Sequence, residues 1–372
     1  MRVGVIGGGQ LGRMLGQAGQ PLGITFTFLE PADAASSPSA AVVGDVIRAP
    51  YDDPDALAEL ASRSDIVTYE FENVPVEAVR QLAGQIPVYP PPAALEAAQD
   101  RLHEKRFFRE NGIDTTAFAQ VSSVEDLEAA IDMLGLPAIL KTRRMGYDGK
   151  GQLFLADPEQ AATAFAALGG RPCILERIVP FDRELSLLAV RALDGRIVTW
   201  PLVENRHAGG ILRWSIAPAP EMPGGADLAT LQARADLIAR RILEALDYVG
   251  VLAIELFQLG DRLLANEMAC RVHNSGHWSI EGAFTSQFEN HLRAVLGLPL
   301  GRTDVPIPCG CVNLLGEVPP IRDLLAVPGA RLHLYGKQPR PGRKLGHVTV
   351  LGVDLDEVRA RIDLVRALTE AG

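Results

Sequence analysis

Lys141-Thr142-Arg143-Arg144-Met145-Gly146-Tyr147-Asp148-Gly149-Lys150-Gly151-Gln152 is the stretch on which the reading of the fold turns. Lys141 closes an apolar strand pattern, Ala138-Ile139-Leu140. The glycines at 146, 149 and 151 give a mobile turn whose amides can approach phosphate oxygens, and Lys150 adds a cation there. The spacing is not that of a Walker A loop, and an ordinary hairpin with an Asp-Gly turn fits the same letters.

Downstream, residues 251–269 read as a hairpin: Val251–Leu259, a Gly260-Asp261 turn, then Leu263–Ala269. Glu255 and Glu267 lie on its two arms. Two facing carboxylates completed by phosphate oxygens suit Mg²⁺. A two-residue loop would pair Glu255 with Asn266 and turn Glu267 to the other face. A three-residue loop, 260–262, or a bulge is required to bring the glutamates together. One glutamate in solvent and the other in an ion pair is the alternative.

Upstream, short strands at 2–6, 24–29 and 65–69 alternate with helical segments, which implies a parallel sheet. Gly7-x-Gly9-x-x-Gly12 follows the first strand, and Glu30 closes the second, where a ribose-binding acid belongs in a dinucleotide site. The same loop can hold another ligand or simply make a tight turn. Pro87-Val88-Tyr89-Pro90-Pro91-Pro92 suits a linker. One helix is expected over 93–111 and another over 124–134, capped by Ser122 or Ser123. Strands are expected at 137–141, 152–156, 173–179, 184–192 and 196–204, and the clearest helix at 228–247. From about 300 the chain reads as a small β-rich unit with Pro- and Gly-rich turns.

Composition limits the function classes. The chain has 372 residues, enough for two or three domains, with 47% hydrophobic and 22% charged residues. A net charge of -10 disfavours a general nucleic-acid binder. No apolar run is long enough for a membrane span, and no signal peptide is visible, so a cytoplasmic protein is expected. Four cysteines are too few for a disulfide framework, and Cys309-Gly310-Cys311 reads as buried strand. His273 and His277 have i,i+4 spacing, but Ser275-Gly276 disfavours the helix a zinc pair needs.

The order of strand with Lys141, glycine loop, the 173–179 strand with Glu176, Glu184, then Glu255 and Asn266-Glu267 resembles the ATP-grasp superfamily. More specific segments resemble the N5-carboxyaminoimidazole ribonucleotide synthetase family, the ATPase subunit of phosphoribosylaminoimidazole carboxylase. They are Gly9–Met14, Thr68–Asn73, Lys141–Arg144 with Gly146–Gln152, Asn205–His207 with Gly210–Arg213, Arg271–Trp278, Thr285–Glu289, and Tyr335–Lys337 with Arg340–His347. The resemblance covers nearly the whole chain.

It implies mixed α/β and α+β architecture: a Rossmann-like parallel-sheet domain at 1–92, an ATP-grasp unit at 93–299 with its lid at about 113–180, and a small β-rich unit at 300–372. It implies ATP and Mg²⁺ as cofactors and 5-aminoimidazole ribonucleotide and bicarbonate as substrates. A homodimer and a functional link to a separate mutase subunit are also implied. Carried over, Arg101, Lys141, Gly146, Tyr147, Asp148, Gly149, Lys150, Gly151, Gln152, Glu176, Arg177, Ile178, Val179, Glu184, His207, Asn266 and Glu267 hold ATP, with 176–179 along the adenine and Glu184 on the ribose. Glu255 and Glu267 hold Mg²⁺. Gln10, Glu72, Arg144, Tyr147, Asp148, Arg271, His273, Asn274, Ser275, Lys337, Arg340, Arg343 and Lys344 face the ribonucleotide. Arg271, His273 and Lys337 are the expected catalytic residues. Cys270 stands where the family pattern suggests proline.

Overall fold

The computed structural model describes residues 1–31, 40–146 and 149–370. The alternating strands of the first segment form a four-stranded parallel sheet in the order Asp45–Ile47, Thr25–Leu29, Arg2–Ile6, Ile66–Tyr69. Its strands are apolar on both faces because helices cover both, as parallel sheets require.

The expected single helix at 93–111 is two helices, Pro92–Gln99 and Arg101–Glu110, broken at Asp100. Asp100 leaves helical geometry because its carboxylate has other work. It caps Leu102 N–H at 3.0 Å and takes the Arg143 guanidinium through two bonds of 2.9 and 2.8 Å. The Val124–Leu134 helix begins as expected, with the Ser123 hydroxyl accepting from Asp126 N–H.

Where the lid was expected, a four-stranded antiparallel sheet runs in the order Phe118–Val121, Cys173–Arg177, Ala138–Thr142, Gln152–Leu155. Among the described residues the largest sheet has nine strands. Its main path runs Arg262–Ala269, Gly250–Leu259, Arg183–Arg191, Val203–Ala208, Ile211–Ala217, Cys309–Leu315, Lys344–Leu351, Ala330–Leu334. The expected 196–204 strand is interrupted, as Ile197–Thr199 and Val203–Ala208. The long helix spans Leu228–Ala245 and buries Leu231, Ala235, Ile238, Ala239, Ile242 and Leu243.

The C-terminal segment departs from expectation in two ways. It carries a 16-residue helix, Leu355–Glu370, and its strands continue the large sheet through pairing of Ile211–Ala217 with Cys309–Leu315. Val358, Ile362 and Val365 of that helix pack on the sheet. A Cβ at Gly310 would come within 2.5 Å of Ile362, which explains glycine between the two cysteines. All four cysteines are free and buried.

Candidate active site

The Glu255/Glu267 question is settled by a bulge. The hairpin has the short Gly260-Asp261 turn, with Leu259 opposite Arg262 and Leu256 opposite Ala265. The register then shifts at Asn266, so that Glu255 faces Glu267. Two adjacent residues of the Arg101–Glu110 helix hold the bulge. Lys105 Nζ donates to the Asn266 carbonyl at 2.6 Å, and Glu104 accepts from Met268 N–H at 2.7 Å. The sequence reading missed both. The available signal was their place among Leu102 and Phe108 on the buried side of an otherwise polar helix.

Burial and the facing charge of Glu267 push the Glu255 carboxyl up to about 7, against the pull of His207. Such a pair calls for a cation. Among the described residues no group of three or more metal-ligating side chains exists, so these two carboxylates fit an ion completed by ligand oxygens rather than a protein-only cage.

Around this pair stand most of the predicted ATP residues. Arg101 reaches Glu267 at 3.9 Å. The His207 imidazole meets Glu184 at 2.9 Å and Glu255 at 4.0 Å. Burial would lower the His207 pKa, but the Glu184 hydrogen bond and the neighbouring carboxylates raise it. Lys141 Nζ lies 3.1 Å from Glu176, which Lys105 approaches to 3.4 Å from the other side. Glu176 is buried, which alone would raise its pKa, yet the two lysines hold it at about 2. Its side chain therefore serves the lysines, and the backbone of Arg177, Ile178 and Val179 follows from the strand end.

Tyr147 and Asp148 lie outside the described residues. Around them the loop conforms to its glycines. Gly149 has φ 76° and a Cβ there would meet the Gly209 carbonyl at 2.5 Å. Gly151 has φ 71° and a Cβ would meet Thr142 Oγ1 at 2.6 Å. Gly146 sits beside Arg101, and Gln152 pairs with Lys141. Gly149 thus lies against the Gly209-Gly210 turn of the large sheet.

A second group lies at the edge of the parallel sheet. Arg271 meets Glu72 at 3.3 Å. Glu72 Oε1, Arg271 Nε and both polar atoms of the Asn274 amide are buried and have no hydrogen-bond partner among the described residues. Buried polar atoms are rarely left so, which marks them as candidates to meet a polar ligand. His273 joins the two groups: its ring faces Glu255 at 3.9 Å and bonds the Ser275 hydroxyl at 3.0 Å. Burial and the charges of Arg271 and Lys344 drive its pKa well below the ordinary value, so the ring is neutral. His277 is buried against His347 and takes no position in the cleft.

Lys337 donates to the Gln10 side chain across 327 residues. Burial and the cations at Arg343, Lys344 and Arg340 push it down to about 8, while Glu70 pulls the other way. Arg340 is exposed, and Lys344 influences Glu255 and His273. Arg144 is half-exposed and turned to Asp100 at 3.2 Å. Cys270 Sγ donates to the Ala94 carbonyl at 2.9 Å, and burial pushes its thiol well up, so it acts as core.

The glycine loop at 7–12 differs from a dinucleotide site in one respect. Its amides are already engaged by carboxylates. Gly8 N–H donates to Glu30 at 2.7 Å, and Gly9 and Gly12 N–H donate to the two oxygens of Glu70. Glu30 faces inward, onto the loop.

Comparison with known proteins agrees with this geometry. Family models match as a ribonucleotide synthetase preATP-grasp domain over 1–99, an ATP-grasp domain over 106–288 and a phosphoribosylaminoimidazole carboxylase C-terminal domain over 309–361. The N5-carboxyaminoimidazole ribonucleotide synthase of Pseudomonas aeruginosa is 52% identical, with 100% of both chains covered. The chain belongs to the N5-carboxyaminoimidazole ribonucleotide synthase family. It is an ATP-grasp ligase with the fold the sequence resemblance implied. The crystal structure of the Thermus thermophilus synthetase is 55% identical, with a TM-score of 0.92 over 99% of this chain and 98% of that one. An Aspergillus clavatus synthase structure, in complex with ADP and 5-aminoimidazole ribonucleotide, is 29% identical with a TM-score of 0.90, covering 100% and 99%.

Proposed function

We propose that this family member carboxylates 5-aminoimidazole ribonucleotide at the expense of ATP, with bicarbonate as carbon source, giving N5-carboxyaminoimidazole ribonucleotide, ADP and phosphate in purine synthesis. The observation that carries the reading is the pairing of two groups in one cleft. Glu255 faces Glu267 across the bulge, and His273 links that pair to Glu72, Arg271 and Asn274 with their unpartnered buried atoms. On this reading a nucleotide end and an acceptor end share one site.

A bicarbonate oxygen attacks the γ-phosphorus and ADP leaves. The resulting carboxyphosphate breaks to CO₂ and phosphate, and the exocyclic amine captures CO₂ with loss of a proton. Lys141, Arg101 and Lys150 would draw the phosphates into line. Mg²⁺, which Glu255 and Glu267 would hold, supplies charge neutralisation at the phosphoryl oxygens. Closure of 146–152, including Tyr147 and Asp148, would exclude water from the intermediate. Arg271 would orient bicarbonate, and neutral His273 could accept the amine proton through solvent or directly. Gln10, Glu72, Arg144, Asn274, Ser275, Lys337, Arg340, Arg343 and Lys344 would surround the ribonucleotide, the cations attracting its phosphate.

The same reading implies Glu184 on the ribose, a homodimer, a cytoplasmic location and delivery of the product to a separate mutase. Among the described residues no helix is long and apolar enough to cross a membrane. The test is phosphate release from MgATP with and without 5-aminoimidazole ribonucleotide at controlled bicarbonate. Release that depends on both supports the proposal; ATP binding without such release refutes the named acceptor.

A further inference from the structure

The glycine motif at 7–12 is the feature of the sequence that the activity does not use in its usual way. In dinucleotide folds its glycines let backbone amides at a helix N-terminus approach a phosphate. Here the acceptors are internal. Both oxygens of Glu70 are spent, one on Gly9 N–H and the other on Gly12 N–H, at the start of the Gln10–Gly19 helix. Glu70 itself is fixed by its backbone, since its N–H donates to Ile6 O at 3.0 Å and continues the parallel sheet. The glycines fit this carboxylate: a Cβ at Gly7 would lie 2.5 Å from Glu70 Cγ, and one at Gly9 would lie 2.6 Å from Glu70 Oε1. Gln10, between the two bonded amides, receives Lys337 from the far end of the chain.

We propose that Glu70 is the resident anion of the glycine loop and a positioning residue for the ribonucleotide side of the cleft, acting through Gln10 and Lys337. The carboxylate stands where a pyrophosphate would in a dinucleotide site, so the loop is rigid before any substrate arrives. Gln10 is thereby presented at a fixed place, and Lys337, which donates to it, also lies within the electrostatic reach of Glu70. Burial raises the Glu70 pKa, and the Gly12 and Gly9 amides and Lys337 pull the other way, favouring the carboxylate that both amides address. Glu30, on the loop's other amide, and Arg340, Arg343 and Lys344, on the turn that carries Lys337, stand around the pair. The assignment of Lys337 to the ribonucleotide rests on the function proposed above; the clamp on the loop does not.

The test is Glu70→Gln in the full chain. A glutamine offers one acceptor oxygen and places its amide N–H₂ against a backbone N–H, so one of the two bonds becomes a donor–donor contact. Hydrogen exchange of the 7–13 segment is expected to rise about tenfold or more. The Michaelis constant for 5-aminoimidazole ribonucleotide should rise about tenfold, while that for MgATP stays within about twofold. Removing the negative charge lowers the Lys337 pKa further, so the alkaline limb of kcat/KM for the ribonucleotide moves to lower pH. Gly9→Ala, whose Cβ displaces the carboxylate and leaves its charge in the protein, is the second variant and should loosen the same segment.

Unchanged exchange in a folded Glu70→Gln protein overturns the clamp. Faster exchange with an unchanged Michaelis constant for the ribonucleotide, an unmoved alkaline limb, or equal losses toward both substrates overturns the positioning role. If wild-type protein does not respond to 5-aminoimidazole ribonucleotide, the proposed activity falls, and the exchange experiment still decides whether Glu70 clamps the loop.

Discussion

Lys105→Met tests the claim that the Arg101–Glu110 helix sets the geometry of the Glu255/Glu267 pair. Lys105 is 1% exposed, and its ammonium touches the Asn266 carbonyl at 2.6 Å, the Thr115 hydroxyl at 3.1 Å and Glu176 at 3.4 Å. Breaking a buried ion pair costs about 3–5 kcal/mol when the remaining charge is stranded. Glu176 is not stranded, because Lys141 at 3.1 Å and the Thr116 hydroxyl at 3.1 Å remain. The Asn266 carbonyl, by contrast, loses its buried donor, worth about 1–3 kcal/mol. With methionine filling most of the volume, the carbonyl sets the loss, at about 1–3 kcal/mol. Urea unfolding followed by tryptophan fluorescence reads this loss. The functional effect is separable. A bulge without its pin leaves Glu267 free to turn from Glu255, and a loss of about 1.4 kcal/mol in MgATP binding raises its dissociation constant about tenfold. Titration calorimetry with MgATP reads that directly. A folded Lys105→Met protein that binds MgATP as tightly as wild type refutes the reasoning, whatever its stability.

Other outcomes follow from the same geometry. Because Glu255 titrates at about 7, Mg²⁺ affinity should fall as pH drops from 8 to 6, and isothermal titration at the two pH values reads the change. In the metal-free protein the sign for stability is opposite: a carboxyl raised in the fold binds more protons than the unfolded chain, so stability declines as pH rises from about 4.5 to about 7, measurable by urea midpoints. Glu267→Gln should retain the fold, since Glu267 is partly exposed, but lower phosphate release by about 100-fold or more, with a higher Mg²⁺ requirement in steady-state assays. Gly149→Ala combines a left-handed backbone with a contact 2.5 Å from the Gly209 carbonyl, so kcat/KM for ATP should fall about tenfold while the melting temperature stays within about a degree.

Much of this site was legible without coordinates, because ligand contacts of this kind are made by particular residue types at short spacing. Lys141, the glycine loop, Glu184, His207 and the Glu255/Glu267 hairpin were all singled out, and in the structure His207 meets both Glu184 and Glu255 while Glu255 faces Glu267. That either a longer loop or a bulge was needed was also legible, since a side-chain period of two forbids facing glutamates across a regular two-residue hairpin; the structure uses the bulge. What held the bulge was not. Glu104 and Lys105 look like surface charges until a second element, 161 to 164 residues away in sequence, covers them. Asp100 was read as one residue of a continuous helix, because propensity carries no information about an arginine pair 43 and 44 residues downstream.

The sequence by itself therefore determined the family and the chemistry expected of it, and it named candidate residues for the site. Those are properties of local residue type and order, and they survive without knowledge of packing. Only the tertiary structure decided which groups satisfy one another. The glycine loop is the sharpest case. Its letters announce an anion at a helix N-terminus, and the fold supplies that anion from Glu70, at the end of a neighbouring strand. The C-terminal segment is another: its strands were recognised as strands, but their hydrogen bonds to Ile211–Ala217 join them to the large sheet. Hydrogen-bond partners and buried charges are chosen across the whole chain, by proximity that no local pattern encodes.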